Sequence, residues 1–240
     1  MDHDKKLEIP FIREMFEKIA PTYDLLNRVL SLKQDVLWRK IMVKSTPVPK
    51  KGRVLDVACG TGDVAIEMAH QKGGLVVVDG IDFSVNMLFI ARKKTEKALM
   101  PNIRFTAADA FNPPFNESAF DAVTIAFGIR NIADKTRVLG VFNRMLKPGG
   151  ALSVLELSTP QNRFFKTLYL LYFTKLLPMI GSFFSKDNHA YSYLPDSVMH
   201  FPPPAQFRNL MENAGFSDVH SRPLTFGIAV LYTGKKPAHD

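Results

Sequence analysis

Asp56, Asp82 and Asp109 each stand at the end of an apolar run of strand character, so an open parallel sheet would gather the three carboxylates along one edge. Ligands bind in the crevice at that edge. Between the first two acids lies Ala58-Cys59-Gly60-Thr61-Gly62, a small-residue turn that opens a helix at Asp63. Glycine lets a ligand approach the backbone, and a helix N-terminus presents unpaired N–H groups, so this turn suits a phosphate or a carboxylate. Two cofactor classes fit. The run Gly60 to Ala65 matches G-x-G-x-x-A with Asp82 at the distance of a ribose-binding acid, as in dinucleotide sites. S-adenosylmethionine instead offers an ammonium group to Asp56, a carboxylate to the turn around Gly60 and Gly62, and a ribose to Asp82.

The elements that must position these residues follow from periodicity. Residues 10 to 45 read as three short helices broken at Pro21 and near Ser31, with Tyr23-Asp24 at a break where Asp24 suits an N-cap. The basic set Arg28, Lys33, Arg39 and Lys40 reads as a solvated face. Pro47, Pro49 and Gly52 form a linker into a first strand around Val54 to Val57, and Val64, Ala65, Met68 and Ala69 mark the buried face of the next helix. A second strand is expected over Leu75 to Val78 and on to Asp82, with Ser84 capping a helix that reaches about Leu99. Strands then follow at Ile103 to Ala107, Phe120 to Ala126 and Ala151 to Leu157. A helix from about Asp134 stops at Lys147-Pro148-Gly149-Gly150. A helix over about Pro204 to Ala214 leads to two last strands, Ser217 to His220 and Phe226 to Thr233. The segment Phe164 to Phe184 is apolar, but Lys166, Lys175, Pro178 and Gly181 interrupt it. It is too short to span a bilayer and reads as a core helix, a greasy pocket wall or an interfacial anchor.

The net charge of +8 is uneven: residues 1–53 carry 12 Lys/Arg against 7 Asp/Glu, residues 54–159 carry 11 against 11, and residues 160–240 carry 8 against 5. Basic flanks around a neutral centre suit nucleic acid or an anionic membrane face. With no arginine-rich run, helix-turn-helix pattern or aromatic RNA signature, nucleic acid is the weaker choice. The single Cys59 and the absence of a secretory signal suit a reducing cytoplasm. His189, His200 and His220 share no zinc-ligand spacing with Cys59, so no metal is expected.

Taken together, VLDVACGTGD, GIDFS, Asp109-Ala110, FDAVTIAFGIRNI and LKPGG resemble a class I S-adenosylmethionine-dependent methyltransferase. More narrowly, the run Phe16 to Asn27, FGIRN ending at Asn131, Tyr191 to Leu194 and Leu224 to Ala229 resemble the UbiE/MenG family of ubiquinone and menaquinone C-methyltransferases. The resemblance covers about Phe16 to Lys235 and decides the contest with NAD. It implies an α/β, Rossmann-like fold with a mostly parallel seven-stranded sheet, N-terminal helices and a helical insertion after strand five. The expected division is one methyltransferase domain: a cap over 1–50, a cofactor core over 51–160, an insertion over 161–202 and a C-terminal part over 203–240.

The implied reaction is methylation of a ring carbon of a prenylated hydroquinone, leaving S-adenosylhomocysteine. Thr61, Asp82, Asp109 and Ala110 would contact the cofactor beside Asp56, Gly60, Gly62 and Ala126; the family often has serine at Ala126. The family's proposed active site matches Tyr23, Asp63, Arg130 and Asn131. The carbon nucleophile becomes reactive once a neighbouring phenol loses its proton, so Arg130 would stabilise the phenolate while Asp63 or a water takes the proton, and Tyr23 would close the site. The sequence leaves naphthoquinol or benzoquinol, and monomer or homodimer, open. Competing readings are a methyltransferase for another apolar small molecule and a non-catalytic quinone-binding partner.

Overall fold

The computed structural model describes residues 9–172 and 189–238. Among the described residues three helices come first: α1 (Ile9–Ile19), α2 (Tyr23–Leu30) and α3 (Gln34–Ser45), with a 3-10 turn at Ala20–Thr22 where Pro21 ends α1. The sheet and its helices follow as β1 (Arg53–Val57), α4 (Asp63–Lys72), β2 (Val77–Asp82), α5 (Val85–Lys97), β3 (Ile103–Ala107), β4 (Phe120–Ala126), α6 (Lys135–Met145) and β5 (Leu146–Leu157). After β5 come α7 (Arg163–Leu171), α8 (His189–Met199), α9 (Pro204–Asn213), β6 (Ser217–Leu224) and β7 (Ala229–Lys235).

The strands form one seven-stranded sheet in the order β3-β2-β1-β4-β5-β7-β6. β1 to β5 are parallel, and β7 runs antiparallel to both β5 and β6. The order therefore reverses between β1 and β4, which makes their carboxyl ends the ligand crevice of the doubly wound sheet. Parallel strands are covered on both faces, and alternation along β1 and β4 assigns side chains to the two layers. Val54 and Ala122 pack with Trp38, Met42 and Met68 of the α3 and α4 layer. Leu55, Val57, Val123 and Ile125 pack with Val138 and Phe142 of α6 and Phe207 of α9.

The expected caps form: Ser84 Oγ accepts from Met87 N (3.2 Å) and Asp134 Oδ1 from Arg137 N (2.9 Å). Several expected boundaries move. β2 begins at Val77 because Leu75 is exposed, and β5 begins at Leu146, so the LKPGG run belongs to the strand. β6 continues to Leu224, and Thr225–Gly227 form a 3-10 turn where a strand was expected. α8, with Pro195 inside, was not anticipated. Of the apolar segment, 173–184 lies outside the described residues.

Candidate active site

Carboxyl ends of β1 and β4 approach closely because of their backbone. Ala58 and Phe127, the residues just past each strand, both take left-handed φ, +50° and +60°. A Cβ on Gly128 would lie 2.7 Å from the Ala58 Cβ, so only glycine allows the two loops to meet. Beside them opens a cavity of about 530 Å³ whose wall includes Gly60, Asp82, Asp109, Ala110, Ala126 and Asn131. Gly60 has φ +53° and no atom within 4 Å of where its Cβ would stand. That open space beside the cavity leaves room for a ligand.

Asp82 is the charged group that this cavity organises. Its Oδ2 accepts from Gly60 N (2.8 Å) and its Oδ1 from Ser84 N (2.9 Å), which leaves each oxygen a spare lone pair. Burial pushes its carboxyl up, backbone N–H groups hold it back, and it settles at about 6. Asp109 accepts from Phe111 N (3.0 Å) through one oxygen.

Three of the expected cofactor-binding residues, Asp56, Thr61 and Gly62, do not line this cavity. Asp56 is 1% exposed behind the loop; Thr124 Oγ1 donates to its Oδ1 (2.8 Å), and Oδ2 lacks a hydrogen-bond partner among the described residues. Burial raises its carboxyl to about 7, against the Thr124 hydrogen bond and the Arg39 charge. Gly62 shapes the turn: at φ +83° it precedes α4, and a Cβ there would sit 2.9 Å from Phe105 Cζ. Thr61 points its hydroxyl away from the cavity, donating to Asp24 Oδ1 (2.6 Å). Asp24 is therefore no N-cap, since α2 begins at Tyr23 with Thr22 before it.

Asp63 requires a larger correction. Its Oδ2 takes Arg28 Nη2 (2.5 Å) and its Oδ1 takes Lys94 Nζ (2.7 Å), with Arg39 3.7 Å away. Burial would raise this carboxyl, but the Arg39 and Lys94 charges and the hydrogen bonds from Lys94 and Arg28 bring it down to about 2. A carboxylate held low by three cations is a weak base at neutral pH, and Asp63 lines neither cavity, which does not favour the expected role as the base. Arg28 and Arg39, expected on a solvated face, instead share Asp35, Arg39 Nη1 lying 2.5 Å from Asp35 Oδ2. Lys33 and Lys40 are exposed as expected.

A second cavity of about 410 Å³ lies beside the first, between the N-terminal helices and α7. Its walls are chiefly apolar: Met15, Ile19, Leu26, Trp38, Leu157 and Leu168 are among them. Two buried cations border it, Arg39, which is tied to Asp35, and Arg130. The Arg130 guanidinium donates through Nη1 to the Phe127 carbonyl and to Glu156 Oε1 (2.8 Å), and Glu156 Oε2 accepts from Arg130 N (3.1 Å). Arg130 Nε is buried without an acceptor among the described residues. Phe16, Tyr23 and Phe127 line both cavities, and Tyr193 Oη, on the apolar side, donates to Asn131 Oδ1 (2.9 Å) on the other. Tyr23, Arg130 and Asn131 thus come together at the junction.

The sequence reading missed Phe127, Glu156 as the partner of Arg130, and Lys94. The Arg39–Asp35 pair had a signal, the i,i+4 spacing on one helix.

The sequence model of the ubiE/COQ5 methyltransferase family matches residues 2–236. The chain is 48% identical, over 94% of its length and 88% of the relative's, to the ubiquinone/menaquinone biosynthesis C-methyltransferase UbiE of Geobacter sulfurreducens. It is 46% identical, over 93% of its length and all of the relative's, to the demethylmenaquinone methyltransferase of Thermus thermophilus. Among solved structures, the fold is similar to a SAM-dependent methyltransferase from Aquifex aeolicus (TM-score 0.62, 15% identity, 82% of this chain and 89% of that one). It is also similar to the [4+2]-cyclase SpnF (TM-score 0.68, 17% identity, 95% and 96%). The fold alone therefore does not specify the reaction.

Proposed function

The chain belongs to the ubiE/COQ5 methyltransferase family, and from that premise we propose that it methylates a ring carbon of a prenylated hydroquinone such as demethylmenaquinol. The observation that carries this reading is the junction: a cofactor cavity edged by strand-end acids meets an apolar cavity holding two buried arginines, Arg39 paired with Asp35 and Arg130 paired with Glu156, across Phe16, Tyr23 and Phe127.

The residues present fit S-adenosylmethionine. Asp82 has two spare lone pairs for two ribose hydroxyls, Gly60 is open on the cavity side, Asp109 and Ala110 border the adenine side, and Ala126 is small. The unpartnered Asp56 Oδ2 suits an ammonium group reaching behind the loop. When bound, S-adenosylmethionine supplies an electrophilic methyl group on a sulfonium and leaves as S-adenosylhomocysteine.

Arg130 lines the apolar cavity and its Nε is a buried donor without an acceptor among the described residues; hydrogen bonds to a developing phenolate are strongest where water is excluded. Glu156 keeps the guanidinium fixed and charged, although burial works against the charge. The phenol proton passes to water, since Asp63 is committed to its cations. Tyr23 and Phe127 hold the ring at the opening between cavities, and Asn131, fixed by Tyr193, borders the same opening.

The acceptor's prenyl chain leaves through an apolar rim. Leu32, Phe165 and Leu168 line the second cavity, while Phe164 and Phe226 are 66% and 68% exposed beside it. The described part of the apolar segment, α7, borders the pocket: Tyr169 is buried, but Phe164, Leu168 and Leu171 are exposed. Peripheral contact with an anionic membrane supplies the acceptor. No helix among the described residues is long and apolar enough to cross a membrane.

Purified protein incubated with methyl-labelled S-adenosylmethionine and a short-chain demethylmenaquinol should yield labelled menaquinol. No label above a protein-free blank refutes the assignment.

A further inference from the structure

One lysine outside both cavities makes three polar contacts at once. Lys94, in the last turn of α5, places its ammonium 2.5 Å from Asp24 Oδ2, 2.7 Å from Asp63 Oδ1 and 3.0 Å from Thr61 Oγ1. An ammonium group has three N–H bonds, so its donor set is fully used. Thr61 Oγ1 donates in turn to Asp24 Oδ1 at 2.6 Å, which closes a ring of Lys94, Asp24 and Thr61. Thr61 and Asp63 belong to the cofactor loop and the start of α4. Asp24 follows Tyr23 in α2, and Tyr23 lies at the junction of the cavities.

A second tie joins the N-terminal helices to the other end of α5. Glu17 of α1 accepts from Val85 N (2.7 Å) and Asn86 N (3.1 Å), filling the start of the helix. Nine residues separate Val85 from Lys94, a span of roughly 13 Å along a helix. α5 therefore holds the cap at two well-separated points. At the Lys94 end, side chains are 20–30% exposed, so the contacts are less screened than those of surface pairs.

We infer that Lys94 is a positioning residue for methyl transfer: it fixes α2, and with it Tyr23, on the cofactor loop. The acceptor ring then meets the methyl group in line. This rests on the function proposed above. Displacements of about 1 Å at a reacting pair cost roughly 10²-fold in rate, so a tie this close to the junction affects turnover more than cofactor affinity.

Lys94→Met removes the ammonium at similar length, and Lys94→Arg restores a cation. With short-chain demethylmenaquinol, Lys94→Met should lower kcat by about tenfold or more while S-adenosylmethionine Kd by calorimetry stays within about threefold. Lys94→Arg should recover most of the rate. Amide hydrogen exchange should quicken across residues 9–30 in Lys94→Met and stay unchanged in the β1 and β4 strands. The inference is overturned by a kcat within about twofold of wild type, by a kcat loss matched by an equal loss of cofactor affinity, or by no recovery with arginine. Exchange needs no acceptor, so unchanged exchange over residues 9–30 disproves the tie itself. A wild-type protein inactive on this quinol refutes the acceptor instead.

Discussion

Asp82 must be ionised to accept hydrogen bonds from two hydroxyls through both oxygens, and burial has brought its carboxyl to about 6, near the range where cells work. Cofactor affinity should therefore be highest above pH 6 and fall as pH drops through it, by at most about tenfold per unit for each proton taken up. Asp56, raised to about 7 by burial, adds a loss of the same sign. For stability the sign is opposite: a carboxyl raised above its unfolded value favours the fold at low pH and loses that contribution as pH rises from about 4 up through its folded value of about 6 for Asp82 and about 7 for Asp56. Calorimetric titration of S-adenosylmethionine from pH 5 to 8 checks the binding slope; an affinity flat across that interval defeats it. Asp82→Ala should cost ~1.5–3 kcal/mol per hydrogen bond to the charged group, and unchanged affinity would remove Asp82 from the ribose site. At Arg130 the useful change is to lysine, which keeps a cation facing Glu156 but deletes Nε. Arg130→Lys should reduce turnover by about 10²-fold with cofactor affinity unaltered, and near-normal turnover at saturating quinol would exclude the donor role. Acids at strand ends were legible because strand pattern and residue type coincide. The Asp63 ion pairs were not, since Arg28 and Lys94 lie 35 and 31 positions away in the chain.

At the scale of elements, the β1 and β4 ends depend on one missing side chain. Gly128→Ala would force a Cβ to within 2.7 Å of the Ala58 Cβ, between two loops whose backbones cannot yield independently. Overpacking of this kind costs ~1–3 kcal/mol, which for a chain of this size lowers Tm by roughly 2–4 °C per kcal/mol. A thermal scan with and without S-adenosylmethionine checks it: the variant should lose both stability and most of the ligand-induced shift. A wild-type Tm would mean that the strand ends are not packed as described. Element types were readable in the core because each helix and strand there carries its own period, as in Val138, Val141, Phe142 and Met145 of α6. α8 was not: Tyr191, Tyr193 and Pro195 give no helical apolar stripe, and a proline inside a helix lowers its propensity. The Thr225–Gly227 turn was hidden for another reason. Its residues take φ +42°, +58° and +89°, and Trp38 Nε1 donates to Thr225 Oγ1 (2.8 Å) from a helix 187 positions earlier. Tertiary contact, not local propensity, holds that turn.

Across the whole molecule, apolar exposure and charge converge on one way of meeting the acceptor. Phe165 and Phe226 stack with ring centroids 4.2 Å apart at the rim of the apolar cavity, and Leu32 on the opposite wall is 83% exposed. Grouped exposed side chains of this size mark an interaction surface. The flanks of the chain hold the surplus positive charge, and each basic residue close to an anionic bilayer is worth about 1 kcal/mol. A prenylated quinol resides in lipid, so on the reading proposed above the rim and the charge would act together: the charge would bring the protein to the surface, and the aromatic rim would admit the chain. Such binding is peripheral and screened by salt. Sedimentation with anionic vesicles at low salt should pellet the protein, whereas neutral vesicles or high salt should leave it in the supernatant. Phe226→Asp, which places a carboxylate on the rim away from Asp82 and Arg130, should weaken vesicle binding and raise KM for a long-chain quinol. Its kcat on a short-chain, water-soluble quinol should stay unchanged. Protein that remains in the supernatant with anionic vesicles at low salt, or a Phe226→Asp variant that binds them as wild type does, would show that the acceptor reaches the cavity from solution or from another protein.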